Sequence, residues 1–211
     1  MNDGHRLRAV VWNVEWAGPR SRRGSILRDR IWSLDPDVVC ICEGMDAWMP
    51  TGGHAITTDQ PYGPTARDGE RKVVLWSRHP WERVDRIGDG MMPQGRFLRG
   101  TTTTPLGPLD IVGVCIPYHM ANVSFGSRDR RPWQDHLAYL DGLGGILGRG
   151  TDIPMIVLGD FNQRIPRGTA PANAYEALQQ ALGPRLEVAT SGTLPGLDEP
   201  IVDHLAHTAE L

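Results

Sequence analysis

A few oxygen-bearing side chains in this sequence could do chemistry, and each stands where an apolar run ends. The run "AVVWNVE" closes on Asn13 and Glu15, "DVVCICE" on Glu43 and "IPMIVLGDFN" on Asp160 and Asn162, while "PIVDHLAH" carries Asp203 beside His204. Polar residues at the C-terminal ends of buried strands sit where open α/β sheets place their binding crevices. Residues two apart in a strand face the same side, so Asn13 is expected to pair with Glu15, and Asp160 with Asn162. Separate strand ends would then deliver carboxylates and amides to one place. Crowded like charges are unfavourable unless a cation neutralises them. Oxygen-only ligands suit a hard ion such as Mg2+, which keeps several waters and takes few protein ligands. The chemistry this predicts is metal-assisted attack of water on a phosphate ester.

The elements that must position these groups follow from the hydrophobic pattern. Arg8 to Val14, Asp37 to Glu43, Lys72 to Ser77, Arg96 to Thr103 and Leu109 to Pro117 read as strands. So do "IPMIVLGD" and "PIVDHLAH". "RRGSILRDRIWSL" places Ile26 or Leu27, Ile31 and Leu34 at helical spacing, with arginines opposite, and Asp35-Pro36 stops it. A second helix runs through "WQDHLAYLDGLGGIL", with Leu137, Leu140, Leu143 or Gly144 and Leu147 on one stripe. A third is "PANAYEALQQAL", with Pro171 near its first turn. The Pro105–Pro108 turn predicts a hairpin between the fourth and fifth strands. Strands and helices alternate at both ends, with adjacent strands between. The loops from Met49 to Gly69, Pro117 to Trp133 and Gly192 to Pro200 are where function would be hung.

Composition narrows the class. With 211 residues, 40% hydrophobic and 22% charged, the chain reads as one globular domain over residues 1–211. A net charge of −3 and a pI near 6.1 make no global electrostatic case for nucleic acid or an anionic membrane. Lys72 is the only lysine among 22 basic residues, so guanidinium dominates anion contacts, a bias that base composition alone could also produce. Cys40, Cys42 and Cys115 lie in apolar runs without metal-ligand spacing and read as reduced core residues, consistent with a cytoplasmic protein. The first residues lack a signal-peptide apolar region, and no apolar run reaches the length of a membrane span.

The order "WNVEW", "DVVCICEG", "GDFN", "IVDHLAHT" resembles the endonuclease/exonuclease/phosphatase superfamily from residue 8 onward, and "VVLWSRHP" is similar to another of its strands. "GDFN" alone is weak; Asn13, Glu43 and the Asp160/Asn162 pair, in that order and each closing a strand, are strong. The resemblance implies a four-layer α/β sandwich: two mostly antiparallel sheets face to face, with helices outside. It implies Glu43 as principal metal ligand, with Glu15 taking part and Asn13 holding the ion's water shell or the phosphate. Asp160 would be the base or water-orienting carboxylate, Asn162 a donor to the phosphate, and Asp203 the aspartate that orients a neighbouring His or Tyr.

Two departures from the family pattern bear on the site. Many members carry His or Tyr near the end of the fifth strand, where this chain has Cys115 in "GVCIPYHMA"; Tyr118 or His119 could serve instead. A terminal Ser-Asp-His-type motif is also expected, and "IVDHLAHTAEL" resembles the strand before it. On that reading His204 packs, because alternation turns it away from the face Asp203 uses, and the last strand with its His lies outside this sequence. That would leave a truncated sequence or an impaired protein, and an exposed sheet edge. The rival reading makes Asp203-His204 the terminal motif itself.

The function expected is a Mg2+- or Mn2+-dependent phosphodiesterase or nuclease acting on nucleic acid or a nucleotide, as a monomer and without a membrane partner. The alternatives are a phosphomonoesterase of a small phosphorylated metabolite, or a binding module that keeps the fold without catalysis. Arg131 in "SRDRRPWQDH" and the "RSRRG" loop are candidate phosphate contacts, although charge runs are commonly solvated faces.

Overall fold

The structure, a computed structural model, describes residues 6–59, 62–63, 66–123 and 129–211. The chain begins as a strand–helix–strand unit. Strand β1 (Ala9–Asn13) runs parallel to β2 (Val38–Met45), joined through helix α1 (Arg22–Ser33). Ser21 caps α1, its hydroxyl accepting from the Gly24 amide at 3.0 Å. Strands β3 (His54–Thr57) and β4 (Glu70–Ser77) complete a four-stranded sheet in the order β1-β2-β4-β3.

The second sheet has six strands: β5 (Trp81–Asp85), β6 (Phe97–Thr104), β7 (Gly107–Cys115), β8 (Met155–Asp160), β9 (Leu186–Val188) and β10 (Asp203–Thr208). Their order is β5-β6-β7-β8-β10-β9. Antiparallel β6 and β7 form the expected hairpin, turning through Pro105-Leu106 with Gly107 at φ 96°. Strands β7 and β8 are parallel, and helix α2 (Gln134–Gly148) makes the crossover between them. Helix α3 (Ala172–Leu182) packs beside α2.

Three apolar clusters define the layers. Ile31, Val39, Ile41, Val74 and Trp76 lie between α1 and the first sheet. Cys40, Cys42, Val73, Leu75, Ile111, Cys115 and Leu158 lie between the two sheets. Val112, Val114, Val157, Tyr139, Leu143 and Leu178 lie between the second sheet and helices α2 and α3. Strand alternation produces this directly: Ile156 and Leu158 face the other sheet, while Met155 and Val157 face the helices. The result is the four-layer α/β sandwich with both sheets mixed and antiparallel pairs in the majority.

Several expectations need correction. Ile26 and Leu34 are 59% and 47% exposed, so α1 buries only the Ile31 side of its stripe. Helix α2 buries His136, Tyr139 and Ile146 along with Leu140, Leu143 and Leu147, while Leu137 is only partly covered. The 49–69 segment, read as loop, contains β3; the last strand begins at Asp203 rather than at Pro200. The three cysteines are free and buried, as expected of core thiols. No helix among the described residues is long and apolar enough to cross a membrane.

Candidate functional site

Asn13, Asp160 and Asp203 come together at one end of the layer between the sheets. Strand β8 ends at Asp160, whose side chain follows Ile156 and Leu158 onto the inter-sheet face. Asp203 opens β10 directly opposite Asp160 in the antiparallel register. Asn13 ends β1 and reaches both: its Nδ2 donates to Asp160 Oδ2 at 2.8 Å, and its backbone N–H donates to Asp203 Oδ2 at 3.0 Å. These contacts join residues 147 and 190 positions apart, so they depend on the two sheets being docked.

Gly159 makes the end of β8 possible. At φ 148°, a Cβ built there would stand 1.8 Å from the carbonyl oxygen of Val114, its register partner on β7. The glycine in "GDFN" is thus required by close backbone approach. Beyond Asp160 the chain turns at once. Asn162 adopts φ 51° and folds back, its backbone N–H donating to Asp160 Oδ1 at 2.8 Å. Its Nδ2 donates to Asp160 Oδ2 and to the Ile116 carbonyl, both at 2.8 Å. The expected Asp160–Asn162 partnership therefore exists, made by a left-handed turn rather than by strand alternation. Both amide hydrogens of Asn162 are engaged, whereas among the described residues Asn13 uses only one of its two.

The charges are crowded. Burial pushes the Asp160 carboxyl up to about 7, and the neighbouring Asp203 and Glu43 charges add to the rise. Hydrogen bonds from Asn13 and Asn162 pull it the other way. Asp203 is also raised by burial, and then by Glu43 and Glu15. Its Oδ1 is buried with no hydrogen-bond partner among the described residues. Asp203 also lies at the end of an apolar groove bounded by the outer edge of β1 and the Leu194–Val202 segment.

Glu43 sits at φ 52° near the end of β2, where this backbone breaks the pleat. Lys72 of β4 holds Oε1 at 2.5 Å. Trp16 and Tyr62 stack with centroids 5.1 Å apart and stand 5.0 and 4.9 Å from the Lys72 ammonium. Sequence reasoning missed these three as site residues; the only signal was a solitary lysine opening an apolar strand. Arg96 was also missed. It is 8% exposed, donates to the Cys115 carbonyl at 3.3 Å, and has no carboxylate partner among the described residues.

Other predicted site residues lie apart. Glu15, at φ 47°, is exposed with its carboxylate turned to Arg23 at 2.6 Å, so its side chain does not share a strand face with Asn13, although its backbone N–H donates to Asn13 Oδ1 at 2.9 Å. Arg131 is exposed at the approach to α2, and His119 is exposed, 5.6 Å from the Trp133 ring. Among the described residues, neither makes a hydrogen bond or ion pair with Asp160. Ser127 and Arg128 of the basic loop lie outside the described residues. The Cys115 thiol is buried beneath the site, and the neighbouring Cys42 together with burial raises it strongly, so it cannot stand in for an exposed imidazole. His204 is fully buried, bonded through Nε2 to the Gln163 carbonyl and through Nδ1 to Thr190, on the face opposite Asp203.

The donor set fits a hard divalent cation. Among the described residues no three His, Cys, Asp or Glu side chains form a closed metal cage. A Mg2+-type ion needs few protein ligands. Among the described residues Glu43 Oε2 has no partner, and the Asn13 side-chain carbonyl, which accepts the Glu15 backbone N–H at 2.9 Å, keeps a second lone pair; burial and then neighbouring carboxylates raise both Asp160 and Asp203.

Comparison with solved structures matches the fold. An AP endonuclease from Archaeoglobus fulgidus superposes with a TM-score of 0.68 at 17% identity, covering 98% of this chain and 88% of that one. The Neisseria 3′ phosphatase NExo, bound to a product DNA hairpin, gives 0.66 at 13% identity, covering 97% and 88%. A mannosyl-6-phosphatase from Bacteroides thetaiotaomicron gives 0.59 at 15% identity, covering 97% and 86%. No curated protein matches the chain in sequence. Residues 10–191 match the Endonuclease/Exonuclease/phosphatase family, and with most of its length in that match the chain belongs to this family of phosphoester hydrolases.

Proposed function

We propose that this protein is a divalent-metal-dependent phosphodiesterase acting on nucleic acid or a nucleotide. The observation that carries the reading is Asp160: a buried carboxylate held by three hydrogen bonds from Asn13 and Asn162, facing Asp203 and within the field of Glu43. Glu43 Oε2 and Asn13 would hold Mg2+ or Mn2+, which when bound supplies charge stabilisation to the phosphate oxygens. Asp160 then aligns a water molecule and takes its proton as that water attacks phosphorus. A base poised near neutrality suits this task. Asn162 fixes the Asp160 carboxylate, and the second amide hydrogen of Asn13 is the donor left for the substrate.

Asp203 secures the Asn13 backbone and offers Oδ1 to a donor. The family resemblance makes that donor an imidazole or phenol. His119 is assigned to the substrate side of the cleft, beyond the end of β7, where Cys115 is the register partner of Asp160 on β8, and Arg131 to an outer phosphate contact. Nucleases and phosphatases share this fold, so the substrate must be read by assay. Purified protein with Mg2+ should be tested on plasmid, single-stranded RNA, a chromogenic phosphodiester and a sugar phosphate, with Asp160→Asn as control. Metal-dependent hydrolysis of the diesters, lost in the variant, supports the reading. Hydrolysis of the sugar phosphate alone would replace the diesterase by a monoesterase. Binding of nucleic acid without any hydrolysis would leave a non-catalytic module of the same fold.

A further inference from the structure

Glu43 already has a cation against it. Lys72 is 7% exposed, and its Nζ lies 2.5 Å from Glu43 Oε1. It is the only lysine in a chain with 22 basic residues, so an ammonium stands here where guanidinium is used everywhere else. The chemistry of the two groups differs at this point. A guanidinium grips a carboxylate with two parallel N–H donors and would cover both oxygens. The compact ammonium takes Oε1 and, among the described residues, Oε2 has no partner. The faces of Trp16 and Tyr62, with centroids 5.0 and 4.9 Å from Nζ, provide a second resting place for the charge.

We propose that Lys72 is the site's own cation, neutralising Glu43 until a divalent ion takes that carboxylate and thereafter binding the phosphate of the substrate. The proposal rests on the phosphoesterase reading. Two cations on one carboxylate repel each other, so an ion at Oε2 loosens Lys72 from Oε1. The ammonium then remains beside the aromatic pair as a buried positive charge lacking its anion, which an incoming phosphate supplies. Lys72 therefore lowers ion affinity and raises substrate affinity.

The test is calorimetric titration of Mn2+ into the full chain, wild type against Lys72→Met and Lys72→Arg. Lys72→Met should bind Mn2+ about tenfold more tightly and Lys72→Arg about tenfold more weakly, since arginine closes both oxygens. At saturating Mn2+, Lys72→Met should raise KM for a chromogenic phosphodiester by about fivefold while kcat stays within about twofold. Equal or weaker Mn2+ binding by Lys72→Met overturns the exchange, and an unchanged KM overturns the phosphate role. Should the methionine variant fail to fold, as judged by thermal unfolding, the arginine variant decides: Mn2+ affinity as high as wild type sinks the proposal. Wild-type protein that binds no Mn2+ removes the phosphoesterase reading itself, whereas wild-type binding with unaltered variants removes only the role of Lys72.

Discussion

Asp160 and Asp203 stand directly opposite each other across the antiparallel β8–β10 pair, and the Asn13 side chain and backbone bridge them. Like charges in register are unfavourable, so this pairing costs stability when both carboxylates are ionised. It persists because Asn13 and Asn162 direct three donors at Asp160. Removing the Asp160 charge while keeping its shape separates catalysis from folding. Asp160→Asn should lower turnover by roughly 10²- to 10⁴-fold, the usual range for a lost general base. Steady-state kinetics at saturating Mg2+ checks this, and undiminished turnover would reject Asp160 as the base.

The same residue sets a pH dependence whose sign is unusual for a carboxylate. Asp160 in the folded chain is raised from 3.8 to about 7, so between those values the folded state keeps a proton that the unfolded state has lost. Its contribution to stability is fully present below the unfolded value and disappears as pH rises through the folded one, a loss on the order of 4 kcal/mol. Without divalent ions, the wild-type melting temperature should fall relative to Asp160→Asn as pH rises from 4 to 8. Parallel curves for the two proteins would contradict this.

His136 gives the opposite slope. Burial lowers its imidazole from 6.5 to about 4, outweighing the Pro117 carbonyl that accepts from Nδ1. The folded chain therefore holds His136 neutral while the unfolded chain protonates it. Stability is complete above the unfolded value and lost as pH falls through the folded one, by about 3 kcal/mol. Asp160→Asn removes the opposing carboxylate, so in that background the acid loss should appear alone. Histidine NMR signals followed from pH 7 to 4 provide a direct reading, and a His136 resonance titrating near 6.5 would refute it.

Glu43 is the residue whose loss should abolish ion binding. Among the described residues its Oε2 has no partner, and Glu43 is a partly buried carboxylate outside the Asp160–Asp203 pair, unlike the exposed Glu15. Glu43→Gln keeps the size of the side chain and removes its charge. Mn2+ affinity should drop by more than about tenfold, and the metal-free melting temperature should fall as well because the buried Lys72 ammonium loses its carboxylate. Affinity equal to wild type would move the ion site away from Glu43.

How far the sequence could be read follows a physical line. The central strands β2, β4, β6, β7 and β8, together with the apolar edge strand β1, are apolar or threonine-rich runs, and their pattern reports burial on one or both faces. The strands that went unread, β3, β5 and β9, are all sheet edges. Their sequences "HAIT", "WERVD" and "LEV" are short, and two carry charges, as edge strands commonly do. The site was legible to the same degree. Asn13, Asp160 and Asp203 obey alternation and meet as expected. Glu15 and Asn162 break the alternation, because each takes a left-handed backbone that a period-two pattern cannot encode, and Asn162 reaches Asp160 only by turning back on it. Lys72 escaped notice because its partner Glu43 comes from a different strand, so no local spacing links the two.

Gly159 offers the sharpest test of how the fold builds the site. A methyl group there would meet Val114 backbone, with the oxygen at 1.8 Å and both the carbonyl carbon and the nitrogen under 3 Å. Backbone in the middle of a parallel β7–β8 pair cannot swing aside as a flexible side chain could. Gly159→Ala must therefore spread the two strands or distort φ, at a cost of roughly 3 kcal/mol. The strain falls on the peptide just before Asp160, so the carboxylate should shift relative to Asn13 and Asn162. Chemical denaturation should show the lost stability, and kcat should fall further than the loss of folded protein explains. A variant with wild-type stability and turnover would mean that the end of β8 is more pliable than its packing against Val114 implies.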